Sequence, residues 1–454
     1  MKRNNLRWWG TIVSTLFILA ATSCQKDDDP LSLGDNPFDL VNGGEAQDRN
    51  KIVVISDLHL GADLTYSECV HHLPRMAEFL TEIRESKTVK ELVIGGDMLD
   101  EWYVLSRTDT YDGKTQKEFI QKIAAQNKGV IDVLNDIIKD GKIIVTYAPG
   151  NHDLLVTKEN VDLILPGINQ ARDNDRLGLG TYNPNPKIAI EHCNRYDFFC
   201  APDPYSNQDI AAGTILPAGY FFTRIAVNSV TNHPAADEII PVRDVKLNSA
   251  DENQVNTFVY YSIWKSIMKN FIPVKDNYDD KIIVTNIGNF NGNYSINDII
   301  PFNKEDGSID MNLYSGFCSQ TAWEKRLVYS NVPVMTPVIK AMQGSLKTSF
   351  LDSMSYVQYF QNIDSKARIV VFGHTHAPML KSFTNTNGEA CIYANSGTWI
   401  DKKIKNNEVV DQDVENMDFI VIAPQATDSS MVKVELFKYH RGKHISIESK
   451  SIKL

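Results

Sequence analysis

Positive charge is what this chain has little of. Its 46 Lys and Arg stand against 57 Asp and Glu, a formal net charge of -11 over 454 residues. Proteins that track nucleic-acid phosphates usually carry a basic patch, so no broad nucleic-acid binding surface is expected. Cysteine is scarce too, with six in the whole chain. Cys24 apart, Cys69, Cys193, Cys200, Cys318 and Cys391 are odd in number. At least one should stay free unless it pairs between chains, and Cys193 and Cys200 could bridge. The chain also lacks a spanning apolar run: Trp8 to Ala21 falls short of the roughly 20 residues a membrane helix needs. No internal repeat is visible, and the apolar and charged fractions, 43% and 23%, are those of an ordinary globular protein.

The amino terminus carries an address. Lys2, Arg3 and Arg7 precede the apolar stretch, the pattern of a secretory signal over residues 1–23. Ala21, Thr22 and Ser23 before Cys24 resemble a bacterial lipoprotein cleavage box, with Ala where Leu is more usual. That resemblance implies a lipidated Cys24 and a protein anchored to a membrane without spanning it. The expected location is the bacterial outer membrane, on the cell surface or the periplasmic face. Lys26-Asp27-Asp28-Asp29 is similar to acidic surface-export signals and equally suits a solvated tether. Residues 24–50, rich in Asp, Asn, Gly and Pro without an apolar period, read as that flexible tether. The catalytic domain is then 51–454.

Within the domain, metal-ligand residue types recur just after apolar, β-branched runs. Asp57-Leu58-His59 follows Ile52–Ile55, Gly96-Asp97-Met98-Leu99-Asp100 follows Leu92–Ile94, and Gly150-Asn151-His152-Asp153 follows Ile143–Val145. His192 follows Ile188–Ile190, and Gly373-His374-Thr375-His376 follows Ile369–Phe372. The runs read as buried strands. Open α/β sheets place their sites at the carboxyl ends of strands, so these groups can converge on one crevice. Carboxylates, imidazoles and one amide without a thiolate suit two divalent or trivalent ions, Mn, Fe or Zn, better than a closed structural zinc site. Two such ions can share a carboxylate, hold phosphoryl oxygens and turn a bridging water into hydroxide near neutral pH. They would also draw an anionic substrate to an acidic protein.

The ordered set Asp-x-His, Gly-Asp-x-x-Asp, Gly-Asn-His-Asp, a lone His and Gly-His-x-His resembles the calcineurin-like metallophosphoesterases, over about residues 51–200 and 365–440. The resemblance implies that Asp57, His59 and His376 hold one metal and Asn151, His192 and His374 the other, with Asp97 bridging. It implies that His152 faces the substrate, and that Asp100 and Asp153 orient these groups. Cys193 and Asn194 follow His192 where many relatives have Gly and another polar residue. Asp100-Glu101-Trp102 and Asn395-Ser396-Gly397-Thr398-Trp399 further resemble the UDP-2,3-diacylglucosamine pyrophosphatase branch. Those relatives act on the cytosolic side, which an exported chain would not reach, so Trp102 and Trp399 are read as walls of the cleft.

The periodicity predicts helices over Leu73–Ser86 and Gln116–Lys139, the latter stopped by Gly141, between the early strands. Strand–helix–strand repetition implies an α/β fold, an αββα sandwich of two mixed sheets flanked by helices. Late strands near Cys391–Ala394, Phe419–Ala423 and Val432–Tyr439 are assigned to the second sheet. Residues about 205–362, with helical patterns at Phe258–Phe271 and Val338–Phe360, read as a cap inserted over the metal cleft, or equally as an accessory packing element, since structureless loops of that length are uncommon. The expected function is hydrolysis of an extracytoplasmic phosphomonoester or phosphodiester on a phosphorylated small-molecule, lipid or glycan substrate. The alternative is a non-catalytic phosphate- or glycan-binding lipoprotein that keeps the fold.

Overall fold

Alternation of apolar side chains decides which way each strand faces. In β1 (Lys51–Ile55), Ile52 and Val54 join one buried cluster while Val53 and Ile55 join another, the two-residue period of an extended strand. Both faces are therefore covered, which is why the run has no polar interruption. The computed structural model describes residues 36–38, 49–405, 408–411, 417–425, 428 and 430–454. The signal segment 1–23, Cys24 and most of the tether lie outside the described residues.

Three further parallel strands extend β1 on one side: β2 (Val89–Gly95), β3 (Ile144–Ala148) and the two-residue β4 (Asn169–Gln170). A second sheet contains β5 (Thr181–Asn185), β6 (Ile188–Glu191), β7 (Ile369–Phe372), β8 (Met379–Thr384) and β9 (Ala390–Asn395), in the order β8-β9-β7-β6-β5. Its centre is parallel, with Phe372 level with both Glu191 and Asn395. Ile52, Val54 and Val93 of the first sheet meet Ile190, Val371 and Ile392 of the second in the dry layer between them. Helices α1 (Leu73–Glu85) and α3 (Lys128–Asp140) pack against each other on the outer face of the first sheet, where Phe79 and Leu134 join Val53 and Ile55. This is the expected αββα sandwich of mixed sheets.

The late strands depart from expectation. β10 (Met417–Pro424) pairs antiparallel with β1, Val53 opposite Val421. It is followed by β11 (Met431–His440) and β12 (Lys443–Lys453), so the first sheet has seven strands in the order β12-β11-β10-β1-β2-β3-β4. Only Cys391–Ala394 belongs to the second sheet as assigned. Hydropathy shows that Phe419–Ala423 is buried; it does not show that the open edge of β1 lies nearer.

Between β2 and β3 the single predicted helix is two, α2 (Gln116–Gln126) and α3, broken at Asn127. Asn127 leaves helical geometry, and its Nδ2 donates to the carbonyls of Gly61 and Ile123, so a polar side chain ends one helix and ties it to the loop after β1. In the inserted stretch, α5 (Gly219–Asn232), α6 (Glu252–Asn270), α7 (Gln320–Tyr329), α8 (Val338–Gly344) and α9 (Thr348–Ser355) pack with short hairpins, after a brief α4 (Lys158–Ile164) near β4. The Val338–Phe360 pattern is thus α8, α9 and one π-helical turn, interrupted by Ser345–Lys347. Cys193 and Cys200 form no disulfide, and both thiols are free.

The tether reading does not extend to Asn36–Phe38. Phe38 is fully buried, its ring 5.5 Å from Phe79 and 5.8 Å from Phe419. Ser86 and Thr88 hydroxyls donate to the Phe38 carbonyl at 2.7 and 2.8 Å. Phe38→Ala should lower the stability of the metal-free protein by roughly 3 kcal/mol, the lower end for a buried Phe because this segment can undock. Urea denaturation checks this; a loss below about 1 kcal/mol would show that the docked segment contributes no core packing.

Candidate metal centre

The crevice lies where strand ends from both sheets meet. Asp57 follows β1 by two residues, Asp97 follows β2, and Asn151, His152 and Asp153 follow β3. From the second sheet, His192 directly follows β6 and His374 and His376 follow β7. The turns are strained: Asp57, His59, Asp97, His374 and His376 all have positive φ, at 55°, 46°, 50°, 67° and 56°. Each such non-glycine residue costs about 1–3 kcal/mol, and such strain clusters at working sites. Two glycines make room. Gly96 has φ +97° and a Cβ there would lie 2.3 Å from His192 Nδ1, while one on Gly150 would lie 2.2 Å from Asp97 Oδ1.

Ligand atoms of Asp57, His59 and His376 lie within 4.8 Å of one another, as do those of Asp97, His192 and His374. His376 Nε2 is 3.1 Å from Asp57 Oδ1 and 3.2 Å from His59 Nε2. Asp97 Oδ2 stands between the groups, 3.0 Å from His192 Nε2 and 3.8 Å from His59 Nε2. Asn151 Oδ1 is 3.2 Å from that same His192 nitrogen. All seven residues singled out as ligands therefore share one crevice.

Their other contacts fix which atoms face inward. His192 Nδ1 donates to the Gly95 carbonyl at 2.9 Å, and His59 Nδ1 meets Asp100 Oδ2 at 3.1 Å, so both rings present Nε2 to the crevice. Asp100 Oδ1 holds His152 Nδ1 at 2.9 Å and accepts the amides of Trp102 and Tyr103. Trp102 stacks on the His152 ring at 5.0 Å, and the His152 side chain keeps 14% of its surface exposed. Asp153 stays out of the crevice: it takes the amides of Gly150, Met98 and Leu99 and so holds the Asp97 turn to the Asn151 turn.

Electrostatics sets the demand for a cation. Among the described residues, the ion-pair partners of Asp57, Asp97 and Asp100 are imidazoles rather than Lys or Arg. Burial works to raise Asp97, but His192, His152 and His59 outweigh it and hold its carboxyl well below the ordinary range. Burial likewise lowers His59, while the Asp100 hydrogen bond and the Glu68 and Asp97 charges push it up to about 10. For His192 burial is outweighed by Asp97 and Asp57, and it rises to about 9. In effect protons on the imidazoles balance the carboxylates. Metal ions would balance the same charge with the imidazoles neutral, since Nε2 atoms and carboxylate oxygens already converge, and the donor set fits them.

Ser56, Asp197 and Glu68 escaped sequence reading, while Asn395, Thr398 and Trp399 stood out there only through a family resemblance. Ser56 hydrogen-bonds the Asp57 carboxylate, and the Thr398 hydroxyl and Trp399 amide both donate to the Asp57 carbonyl at 3.1 Å. Asn395 Nδ2 ties down the Gly373 carbonyl at 2.9 Å. Asp197 meets His374 Nε2 at 3.0 Å, and Glu68 lies 3.6 Å from His59 Nδ1. Ser, Thr and Asn after strands are commonplace, and neither Asp197 nor Glu68 belongs to a spaced motif. Trp399 is a buried wall rather than a cleft surface, its indole donating to the Asp418 carbonyl.

No curated protein matches the chain. Residues 50–255 match the family model described as calcineurin-like phosphoesterase, a span that holds Asp57, His59, Asp97, Asn151 and His192 and ends before His374 and His376. Together with a two-sheet fold that delivers those last two histidines to the same crevice, the match supports the metallophosphoesterase family, whose members are metal-dependent phosphoester hydrolases.

Proposed function

We propose that the protein is a dinuclear metal-dependent phosphoesterase acting outside the cytoplasm on a phosphomonoester or phosphodiester. The observation that carries this reading is Asp97 Oδ2 lying between two ligand groups, His59–Asp57–His376 and His192–Asn151–His374. Asp57, His59 and His376 would hold one ion, Asn151, His192 and His374 the other, and Asp97 both. Bound Mn, Fe or Zn would supply Lewis-acid polarisation of the phosphoryl group and a nucleophile from water near neutral pH.

The remaining work falls to side chains. His152 is oriented by Asp100 and Trp102 and stays partly exposed, a placement that suits donating a proton to the leaving oxygen or stabilising charge there. Its own affinity for a proton is raised: burial opposes this, and Asp100 and Asp97 outweigh burial. Asp153 keeps the Asp97 and Asn151 turns in register. A non-catalytic binding protein would have no need of this complete set.

His152→Ala should leave metal content near wild type while lowering turnover by roughly 10²–10⁴-fold, the scale of a lost general acid. The loss should shrink for aryl phosphates with a good leaving group; equal losses for good and poor leaving groups would remove the acid role. Running the comparison on paired mono- and diester aryl phosphates also separates phosphatase from phosphodiesterase.

The placement outside the cytoplasm rests on the amino-terminal sequence, with Cys24 as the lipidated residue and the membrane as partner through that anchor. Cys24→Ser should move the protein from the membrane to the soluble fraction. Wild-type protein found wholly in the soluble fraction would contradict the anchor.

A further inference from the structure

The loop after His192 carries a carboxylate that the ligand set does not use. Asp197 is buried, and its two oxygens have separate tasks. Oδ1 accepts the Phe199 amide at 2.8 Å, and Oδ2 takes His374 Nε2 at 3.0 Å. A ring that gives its Nε2 proton to a carboxylate keeps Nδ1 as its only lone pair, so His374 is set to ligate through Nδ1, the reverse of His59 and His192.

What holds Asp197 is the inserted segment. Arg326 of α7 is fully buried, and its guanidinium donates to the carbonyls of Phe198 at 2.8 Å, Ala201 at 2.6 Å and Pro202 at 3.3 Å. The faces of Phe317 and Trp323 cover it at 4.4 and 5.1 Å. The Phe198 amide donates to Ser345 Oγ at 2.7 Å, and the Gly219 amide to the Phe199 carbonyl at 2.9 Å. Three separate parts of the insertion thus grip the six residues that follow Tyr196. A buried guanidinium spent on backbone carbonyls has a positional task, since each of those carbonyls would otherwise be desolvated without a partner.

We infer that Asp197, clamped by Arg326, is a positioning residue that fixes the tautomer and orientation of His374 and thereby sets the affinity of the second metal position. The inference rests on the dinuclear reading above. Asp197→Asn is the informative change. With Oδ1 still taken by the Phe199 amide, an Asn presents its NH2 to His374 Nε2, forces the proton onto Nδ1 and removes the ligand lone pair.

The test is titration of the metal-free protein with Mn2+ alone, followed by calorimetry and by electron paramagnetic resonance, which separates isolated from coupled ions. Wild type should take two ions. Asp197→Asn should bind the first with an affinity within twofold of wild type and the second 10–100-fold more weakly, the usual scale for a lost orienting partner. His374→Ala combined with Asp197→Asn should lose no more than His374→Ala alone. Should the Asn variant fail to fold, Asp197→Ala gives the same selective loss by leaving the ring unoriented. A second affinity within twofold of wild type, or equal weakening of both ions, would overturn the inference while leaving the dinuclear reading intact. A wild-type protein that takes a single ion would overturn both.

Discussion

Buried carboxylates whose ion-pair partners among the described residues are imidazoles are the constraint on which the rest of this structure depends. Asp57, Asp97 and Asp100 are all but inaccessible to water, and their ion-pair partners are histidines. Carboxylates withdrawn from water are costly unless a cation faces them. In the metal-free protein the carboxylates around them raise the proton affinity of His59 and His192 well above the usual imidazole range, against burial. Two metal ions would satisfy the same charges while leaving the rings neutral, so the protein's electrostatics and its proposed chemistry make one demand.

The scaffold meets that demand by geometry. Parallel strands from both sheets end level with one another, Gly95 beside Ala148 in one sheet and Phe372 beside Glu191 and Asn395 in the other. Their carboxyl ends therefore deliver seven donors to one crevice. Positive φ at five of the site residues shows how sharply the chain must turn to aim them, and the hydrogen bonds of Ser56, Thr398, Trp399 and Asp153 keep those turns from relaxing. Strain of this kind persists only where the surroundings over-determine it.

Much of this was legible in the sequence for a physical reason. β-branched runs buried on both faces leave an unbroken apolar signature, so β1, β2, β3, β6 and β7 stand out, and the polar residues just beyond them are conspicuous by contrast. Which sheet a late strand joins is not written in its hydropathy, and β10 and β11 were assigned to the wrong one for that reason. Asn127 could not be seen to split a helix, because the bond that ties it to the Gly61 carbonyl is a contact across the fold. Asp197 and Arg326 were invisible for the same cause: their roles come from contacts across the fold, between the loop after His192 and the inserted segment.

The central claim is that two cations complete this site and that catalysis needs both. It is tested most directly by adding Mn2+ stepwise to metal-free protein while following hydrolysis of an aryl phosphate ester. The account predicts little turnover through the first bound equivalent and a steep rise as the second binds. Full activity at one equivalent, or equal activity in the metal-free protein, would contradict it.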